Sequence, residues 1–459
     1  MRVEAVVRAV RLGAFTSVLV APFLFGAVER SIWIPLCQLW IALGIISFSL
    51  TLADPTRGTP SGRSAFVALL PVHLLFLIQL CPLPGFILRF ISPGSYAAYF
   101  LPDLHDGKWR PITVSMGATL EAWIYVAGLQ SIFSIMQGFS AQARRQATHL
   151  LLLLSLVVAI EGLWQSRSEH PDWTYGLIPV AAPLGLQNAG FGLYLNRNHF
   201  ATMSAIGAAL AAGLGMSAFK RRKGGHPLLH DQNELAWIIS MGGTTGLLLL
   251  ATASSGSRSG LLAAIFGIGV AITGRIERRS VLISIGGVVA LALGVILSGA
   301  AAVERFLQAS TISIRVPAWL DIITITRFFP AFGAGIGTFA AAYWPYQMNA
   351  RYEFWQHAHN EYIEWIVEGG VVGLAVAFVA LREFRARYQI EELQLEPLKS
   401  VLAAFAFQAF FDFPARIPAN AAFVVSLVAL TLVPRRKSGE SRLRLEDGHS
   451  EDETRACKE

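Results

Sequence analysis

Apolar runs of about 20 residues recur along this chain, and they constrain its fold more than any other feature. A run of that length, wound as a helix, spans the ~30 Å hydrocarbon core of a bilayer. Backbone groups in lipid must be satisfied within the segment, so such runs fold as helices, and the alternating ~10-residue segments of a membrane barrel are not seen. The composition agrees, since 54% of the residues are hydrophobic and 15% are charged. The sequence therefore predicts an all-α polytopic membrane protein.

The apolar runs predict twelve membrane spans, with boundaries uncertain by a few residues. The spans lie near 12–28, 31–53, 64–84, 118–139, 148–165, 198–218, 235–253, 259–274, 280–300, 361–381, 398–412 and 417–433. No convincing small-residue cleavage site follows the first run, so it is predicted to be a retained span and not a signal peptide. The charged tail from Pro434 onward is predicted to be disordered.

Basic residues cluster in alternate connections, which predicts how the chain is threaded through the membrane. If both termini are cytoplasmic, each cytoplasmic segment carries at least two of the 37 Lys and Arg residues. These clusters are Arg2, Arg8 and Arg11; Arg57 and Arg63; Arg144 and Arg145; 220–223; Arg275, Arg278 and Arg279; Arg382, Arg385, Arg387 and Lys399; and the tail. The net charge of +7 thus follows from insertion topology and does not indicate a nucleic-acid partner.

The segments on the other side are predicted to be 85–117, 166–197, 254–258, 301–360 and 414–419. The 301–360 stretch is too long for a tight connection, and it is predicted to form short amphipathic helices on the membrane face. Its aromatic side chains favour the membrane interface. They are Trp319, Phe328, Phe329, Tyr343, Trp344, Tyr346, Phe354 and Trp355.

Two arginines on this outer side are candidate clamps for a phosphate-bearing ligand, because the planar fork of arginine suits phosphate. Arg258 lies in the 254–260 turn, close to the hydrocarbon boundary, where the alternative is snorkelling to lipid phosphate. Arg315 is the second candidate, with an ordinary surface charge as its alternative. The nearby 333–337 glycines follow no strand, so they indicate a flexible turn, or backbone amides near a phosphate, and not a nucleotide loop.

Polar residues also gather where a span begins after the 166–197 segment. They are Asn196, Arg197, Asn198 and His199, followed by Phe200. A polar helix cap, with asparagine at the N-cap, is the alternative to a functional site here.

His359 is the sharpest candidate for catalysis, because histidine is the side chain best suited to proton transfer near neutral pH. It precedes Asn360 at the mouth of a predicted span, and Gly370 lies about three helical turns further on, on the same face. Gly370 and Gly373 are three residues apart, which allows close helix approach. A capping or interfacial histidine is the alternative. Asp412 is a weaker candidate, whose alternative role is pairing with Arg416.

No metal site is predicted, although His199, His357 and His359 have Glu361 and Glu364 nearby in the sequence. The chain has no HExxH pattern, and histidines two residues apart point apart on a helix. The three cysteines form no spaced pairs, so neither a zinc site nor a disulfide framework is indicated. They are Cys37, Cys81 and Cys457.

The pattern His359-Asn360-x9-Gly370-x-x-Gly373 resembles the signature of bacterial O-antigen ligases and related polysaccharide polymerases. The resemblance covers roughly residues 180–430, where the rest of the family pattern is matched in the same order. The matching elements are the 196–200 motif, the Ser257-Arg258 turn, Arg315, the 301–360 stretch and Asp412. His357 lies two residues before His359, so the sequence alone does not require His359 to be the histidine of the motif. We prefer His359, because it is followed by Asn360 and has the spacing to Gly370 and Gly373 that the motif requires.

The resemblance implies a GT-C-like membrane glycosyltransferase that uses no nucleotide sugar, metal or other cofactor. It would move a glycan from undecaprenyl diphosphate to an acceptor hydroxyl at the periplasmic face of the inner membrane. The acceptor would be the lipid A core in a ligase, or another lipid-linked repeat unit in a polymerase. Carried over by position, His359 would be the base that activates the acceptor, and Arg258 and Arg315 would hold the diphosphate. In-line displacement would invert the anomeric centre.

Three domains follow from these expectations: an N-terminal transmembrane bundle (1–180), a ligase-like region that includes the 301–360 loop (181–433), and a cytoplasmic tail (434–459). The expected partners are the lipid-linked donor, the acceptor, membrane lipids and polysaccharide assembly proteins. A twelve-span secondary transporter is the alternative from another class. Transporters place ionisable residues near the midplane, usually in repeated halves, and Glu368 is the main residue of that kind. The sequence alone gives no role for Glu368.

Overall fold

The computed structural model describes residues 2–53, 61–100, 109–168, 173–174, 178–179, 191–222, 232–273, 310–348, 355–390 and 394–435. The helices in these ranges are α1 (Arg2–Val20), α2 (Arg30–Ala53), α3 (Ser61–Leu80), α4 (Gly85–Ile91), α5 (Pro93–Phe100), α6 (Met116–Gln137), α7 (Ala141–Gln165), α8 (Arg197–Arg222), α9 (Gln232–Ser254), α10 (Arg258–Thr273), α11 (Ser310–Ile325), α12 (Phe339–Tyr343), α13 (Glu361–Arg387), α14 (Leu395–Gln408) and α15 (Pro418–Thr431). Short strands pair antiparallel as β1 (Pro82–Pro84) with β2 (Trp109–Pro111), β3 (Trp173–Thr174) with β4 (Ile178–Pro179), and β5 (Tyr388–Ile390) with β6 (Leu432–Pro434).

The prediction of an all-α polytopic membrane protein is confirmed. Seven described helices are long and apolar enough to cross a membrane, namely α1, α2, α6, α7, α8, α9 and α13, and α3, α10 and α15 contain shorter apolar helices. The predicted 280–300 span lies outside the described residues, as does the tail from residue 436 onward. The predicted 398–412 span corresponds to α14, which ends earlier, at Gln408. The number of spans therefore stays a prediction.

The first helix begins earlier than the sequence predicts. The expected span is 12–28, but α1 begins at Arg2, ends at Val20 and is followed by 3-10 turns. Gly26 in these turns has a φ of 73°, which stops further helix. Arg8 therefore lies inside the helix and not before it. An arginine is tolerated there, because its long side chain can carry the charge from the helix to the membrane surface.

Helix α8 lies at the centre of the bundle, and most of its residues are buried. Small residues let neighbouring helices approach closely. A Cβ atom on Gly213 of α8 would lie only 2.5 Å from the backbone of Pro397 in α14. Likewise, a Cβ atom on Gly260 of α10 would lie 2.5 Å from the Ala201 side chain of α8. The first turns of α8 and α10 therefore pack directly against each other.

Helices α8, α10, α13 and α15 all begin at the same face of the bundle. At the start of α15, the Asn420 side chain donates a hydrogen bond to the carbonyl of His199 in the first turn of α8 (3.1 Å). Glu361, the first residue of α13, accepts a hydrogen bond from the Ala415 N–H just before α15 (2.6 Å). This face, called the site face below, thus gathers four helix amino termini, each carrying partial positive charge.

At the opposite face, Arg144 joins the carboxyl ends of α6 and α15. Its guanidinium is buried and donates to the carbonyls of Gln137 and Leu432, both at 2.7 Å, and of Phe139 at 3.0 Å. A cation is favourable at helix carboxyl ends, where carbonyls lack partners within the helix. One member of the predicted basic clusters therefore has a packing role.

The described part of the 301–360 stretch forms short helices, as the sequence predicts, and several of its aromatic side chains are buried. Phe329, Phe339, Tyr343 and Trp355 are buried together in a hydrophobic cluster of their own. Trp344 is 58% exposed and is the large aromatic that this segment presents to its surroundings. Trp319, Phe328 and Tyr346 are partly buried and pack against this cluster, and position 354 lies outside the described residues. These aromatic side chains therefore form or contact a small core, and their predicted place at the membrane interface stays a prediction.

Helix α13 is interrupted at Gly370, where φ is 61° and ψ is −161°. The backbone N–H groups of Val371 and Val372 donate to the carbonyls of Pro330 and Ala331 at 3.0 and 2.9 Å. The prediction that Gly370 shares a continuous helix face with His359 and serves close helix approach is therefore wrong. Gly370 accepts a docked loop, because the freed backbone groups need partners in a membrane interior.

The side chain of Gln79 in α3 completes this junction. Its amide nitrogen donates to the carbonyls of Phe332 and Glu368 at 2.7 and 2.8 Å, and its amide oxygen accepts from the N–H of Ile336 at 3.0 Å. A buried polar side chain thus satisfies backbone groups of both α13 and the docked loop. The loop, α3 and α13 are thereby fixed to one another.

We expect Gly370→Ala to lower the melting temperature of the purified protein strongly. Its φ/ψ region is almost restricted to glycine, and an added Cβ atom would lie 2.5 Å from the carbonyl oxygen of Ala331. A backbone this strained costs on the order of 1–3 kcal/mol before the clash is counted. Gly373→Ala is the matched control, since its nearest neighbour would be an ordinary 3.8 Å contact with Leu75. Equal melting temperatures for the two variants would contradict the assigned break.

Candidate active site

His359 ends a tight loop that leads directly into α13. The side chain of Asn360 is the N-cap and accepts a first-turn N–H of that helix at 3.1 Å, so its role here is capping. His359 has a φ of 48°, which is uncommon for a residue other than glycine. The loop is fixed on both sides, because the Trp319 indole donates to the Ala358 carbonyl and the Ala358 N–H donates to Glu364, each at 2.8 Å. The direction of the imidazole is thus set by the backbone.

The structure brings three sequence candidates together at the site face. Nδ1 of His359 lies 3.1 Å from Oδ1 of Asp412 and 3.3 Å from Nη2 of Arg315. Arg315 is anchored by a 2.6 Å hydrogen bond from Nη1 to the carbonyl of Phe411, next to Asp412 in the α14–α15 connection. A histidine, a carboxylate and an arginine that are far apart in the sequence therefore form one cluster. Asp412 pairs with His359 and not, as the alternative had it, with Arg416.

Charge in this cluster determines which nitrogen of His359 is protonated. Burial alone would raise the pKa of Asp412, but the hydrogen bond from His359 and the positive charge nearby, including that of Arg315, lower it to about 2. An ionised Asp412 accepts a hydrogen bond, so the Nδ1 proton of His359 points at it. Nε2 then carries the lone pair, and it makes no hydrogen bond to the described residues.

Arg315 then acts on this pair through charge. With a proton on Nδ1 of His359, its 3.3 Å contact with Arg315 is not a hydrogen bond, and the attraction is between the guanidinium and Asp412. Burial lowers the pKa of Arg315, and the charge of Asp412 opposes that shift. Arginine keeps its proton even so, because its ordinary pKa is far above neutral pH. Further N–H donors of its fork are available to an anionic ligand.

The ring of Phe413 contacts three imidazoles. Its centroid lies 4.2 Å from that of His357, 5.0 Å from His359 and 5.1 Å from His199. His199 in α8 is nearly buried, and its Nε2 has no hydrogen-bond partner among the described residues. The same holds for Oδ2 of Asp412. Phe413 thus joins the first turn of α8 to the His359 cluster, and two buried polar atoms face this region without protein partners.

Two buried glutamates bracket Arg416, just before α15. Nη2 of Arg416 donates to Glu368 at 2.6 Å, and Nε lies 3.1 Å from Glu364. Burial alone would lower the pKa of Arg416, but the charges of Glu364 and Glu368 raise it above the ordinary arginine value. Glu368 also accepts a hydrogen bond from the Phe339 N–H at 3.0 Å. Glu368 is therefore an ion-pair partner that fixes the loop between α11 and α12.

His357 differs from His359 in its partner. Its Nδ1 lies 2.8 Å from Glu364, which is already shared with Arg416. Because Glu364 is held by a permanent cation, His357 belongs to the structural network around α13. His359 pairs with Asp412, outside that network. The geometry therefore favours His359 over His357 as the more independent imidazole.

The predicted 196–200 motif and the 254–258 turn lie side by side at the site face. Asn196 accepts the N–H of Asn198 at 2.8 Å, so the capping interpretation applies to it. The Arg197 guanidinium would lie 3.7 Å from a Cβ atom on Gly256 in the turn. The turn is confirmed, with α10 beginning at Arg258. The structure thus brings Arg197 and Arg258 to adjacent helix starts.

Sequence analysis missed three residues that organise the site, namely Glu364, Phe413 and Arg416. The sequence did contain a signal for Glu364, because Glu361, Glu364 and Glu368 recur at helical spacing at the start of an apolar span. Acidic residues on a membrane helix need a buried cation, and Arg416 provides it. Among the described residues, no group of three His, Cys, Asp or Glu side chains is arranged to hold a metal ion.

We expect Arg416→Gln to destabilise the protein by about 3–5 kcal/mol, because it leaves two buried carboxylates without their cation. Glu383→Gln is the control, since Glu383 pairs with Arg387 in a partly exposed (i, i+4) bridge worth less than about 0.5 kcal/mol. Melting temperatures in detergent measure both changes. Adding Glu368→Gln to Arg416→Gln should recover part of the loss. An unchanged melting temperature for Arg416→Gln would show that the ion pairs do not stabilise the fold.

Comparison with known proteins agrees with the resemblance noted in the sequence. No curated protein matches the chain. Residues 243–378 match the family model described as O-antigen ligase, and this range contains Arg258, Arg315, His359 and Gly370. The match supports a lipid-linked glycan transferase-like function for a multi-pass membrane protein. Within residues 243–378, the chain is therefore similar to the O-antigen ligase family.

Proposed function

We propose that the protein transfers a glycan from undecaprenyl diphosphate to an acceptor hydroxyl at the periplasmic face of the inner membrane. The observation that carries this proposal is the His359–Asp412–Arg315 cluster at the site face, with Nε2 of His359 as its unengaged base. The cluster combines a proton acceptor with a cation, and transfer from a lipid diphosphate to an alcohol requires both. Both termini would then be cytoplasmic.

His359 is the proposed general base. Its Nε2 takes the proton of the acceptor hydroxyl while the hydroxyl oxygen bonds to the anomeric carbon of the donor sugar. The bond between that carbon and the diphosphate oxygen breaks, and the diphosphate leaves with the electron pair. Asp412 orients the imidazole and stabilises the imidazolium that forms, since its carboxylate stays ionised at neutral pH.

Arg315 and Arg258 are the proposed partners of the diphosphate. Cations near the leaving group offset the negative charge that develops as the glycosidic bond breaks. The amino termini of α8, α10, α13 and α15 add partial positive charge at the same face. This supports an anionic ligand there. Neither a nucleotide nor a metal has a role in this scheme, and Arg197 is a further cation beside Arg258.

Ligase and polymerase activities share this chemistry and differ in the acceptor. The proposal covers a lipid A-core acceptor or a second lipid-linked repeat unit, in concert with polysaccharide assembly proteins, and assigns the transfer to the 181–433 region. The transporter alternative depends on a titratable group within the membrane, of which Glu368 was the main candidate. Glu368 is paired with Arg416, which argues against a transport role for it.

We expect His359→Ala to lower the rate of glycan transfer by about 10²–10⁴-fold, the usual contribution of a positioned general base. The assay uses purified protein in detergent with a lipid diphosphate oligosaccharide as donor, EDTA present and no nucleotide. His149→Ala is a matched control, because this exposed imidazole on α7 contacts the ring of Trp237, away from the cluster. Full activity of folded His359→Ala would remove the proposed base and direct attention to His357 or His199.

Two further variants separate the proposed roles in the same assay. Asp412→Asn keeps the shape but not the charge, so kcat should fall with little change in KM. Arg315→Lys keeps a charge but loses the fork, and it should retain more activity than Arg315→Gln. Equal activity of Arg315→Gln and the unaltered protein would contradict a diphosphate role for Arg315.

We expect the product to have the anomeric configuration opposite to that of the donor. A single in-line displacement, with one base and no enzyme nucleophile, inverts the reacting carbon. Nuclear magnetic resonance of the purified product, compared with the donor glycan, measures this configuration. Retention would require a covalent glycosyl intermediate and would rule out the role assigned to His359.

A further inference from the structure

A cavity of about 670 Å³ lies between α3, α6, α13, α14 and α15. Its walls are almost entirely apolar and include Leu129, Phe133, Leu402 and Val428. It is located toward the face opposite His359, because its lining continues into β5 and β6, which follow the carboxyl ends of α13 and α15. Both helices begin at the site face, so this cavity is separate from the candidate active site.

The cavity is no deeper than one leaflet of a bilayer. Its lining runs from Leu381 in α13 to Tyr388 at the start of β5, and along α6 from Val126 to Phe133. Each stretch is about two helical turns, or roughly 10 Å. Half of the hydrocarbon core is about 15 Å. An acyl chain that enters from the lipid would therefore fit within this depth, whereas a spanning helix from a partner would need a groove through both leaflets.

The cavity opens sideways to the lipid. Leu381 and Leu402, on two of its walls, are 52% and 40% exposed. Apolar cavities of this kind do not hold water, which needs polar partners. Hydrocarbon chains from the surrounding leaflet are the material in contact with such an opening. An alkyl chain therefore fits both the chemistry and the access.

Two arginines lie at the end of the cavity furthest from the bilayer centre. Arg385 is exposed on the last turn of α13, and Arg435 follows β6. Arg435 is fixed in place, since its backbone N–H donates to the Arg387 carbonyl at 2.8 Å and its Nε donates to the Tyr388 carbonyl at 3.0 Å. No carboxylate is among the lining residues. Basic pockets of this kind between spanning helices bind anionic lipid headgroups.

We propose that this cavity binds one anionic glycerophospholipid from the leaflet opposite the active site. Its phosphate lies between Arg385 and Arg435, and an acyl chain fills the apolar space between α6, α13 and α14. The bound lipid seals a gap in the bundle and joins the β5–β6 pair to the helices around it. The site does not depend on the proposed transferase function.

The test compares lipid binding by the full-length protein in neutral detergent, using native mass spectrometry. The probes are phosphatidylglycerol and phosphatidylcholine with identical acyl chains. We expect phosphatidylglycerol to bind at least tenfold more tightly. The double variant Arg385→Gln/Arg435→Gln should lose this preference, and Arg382→Gln, an exposed arginine on the same helix outside the cavity, should keep it.

A second variant tests the apolar half of the site without touching either arginine. Leu402→Trp fills the cavity from its exposed wall, and it should weaken phosphatidylglycerol binding at least tenfold. Equal binding of the two lipids, or unchanged binding by both the arginine and the Leu402 variants, would overturn the proposal. Tighter binding of undecaprenyl phosphate than of phosphatidylglycerol, lost in the same variants, would overturn the assignment to a phospholipid.

Discussion

The ion pairs of Arg416 with Glu364 and Glu368 are the interaction on which the rest of the site depends. Two carboxylates on a membrane helix are costly to bury, and a single arginine from the turn before α15 compensates both. That turn also carries Asp412 and Phe413. Because Arg416 draws the turn onto α13, Asp412 lies against His359, which immediately precedes that helix. The position of the Asp412 carboxylate is thus a consequence of charge neutralisation by Arg416, four residues further along the chain.

Hydrogen bonds connect this ion-pair network to the neighbouring segments of the site. Glu364 also holds the backbone of Ala358, which fixes the loop carrying His359. Glu368 also holds the N–H of Phe339, which ties the loop before α12 to the same helix. Asn420, at the start of α15, contacts the first turn of α8. Three segments are remote in sequence, namely the loop before α12, the turn before α15 and the start of α8. A few buried polar contacts locate them relative to α13, as expected for a site supported by a rigid scaffold.

The membrane class, the approximate positions of most apolar helices and several turns and helix caps could be predicted from the sequence, because hydropathy and capping are local signals. The 254–258 turn and the cap at Asn360 are examples. The interruption of α13 could not be predicted from the sequence, since a helix-breaking glycine and a packing glycine look the same there. Only the conformation of Gly370 and the partners of Val371 and Val372 distinguish the two. Likewise, buried aromatic residues such as Phe329 and Tyr343 look like interfacial ones until the cluster that covers them is known.

The interruption of α13 has a consequence for how the protein is made. The backbone groups released around Gly370 find their partners in residues 330–335, which are synthesised before α13. Unpaired N–H and C=O groups are costly in hydrocarbon, so α13 reaches its final form only when that segment is already in place beside it. Positioning of the loop therefore precedes completion of the helix. The order of the segments along the chain matches the order in which they must assemble.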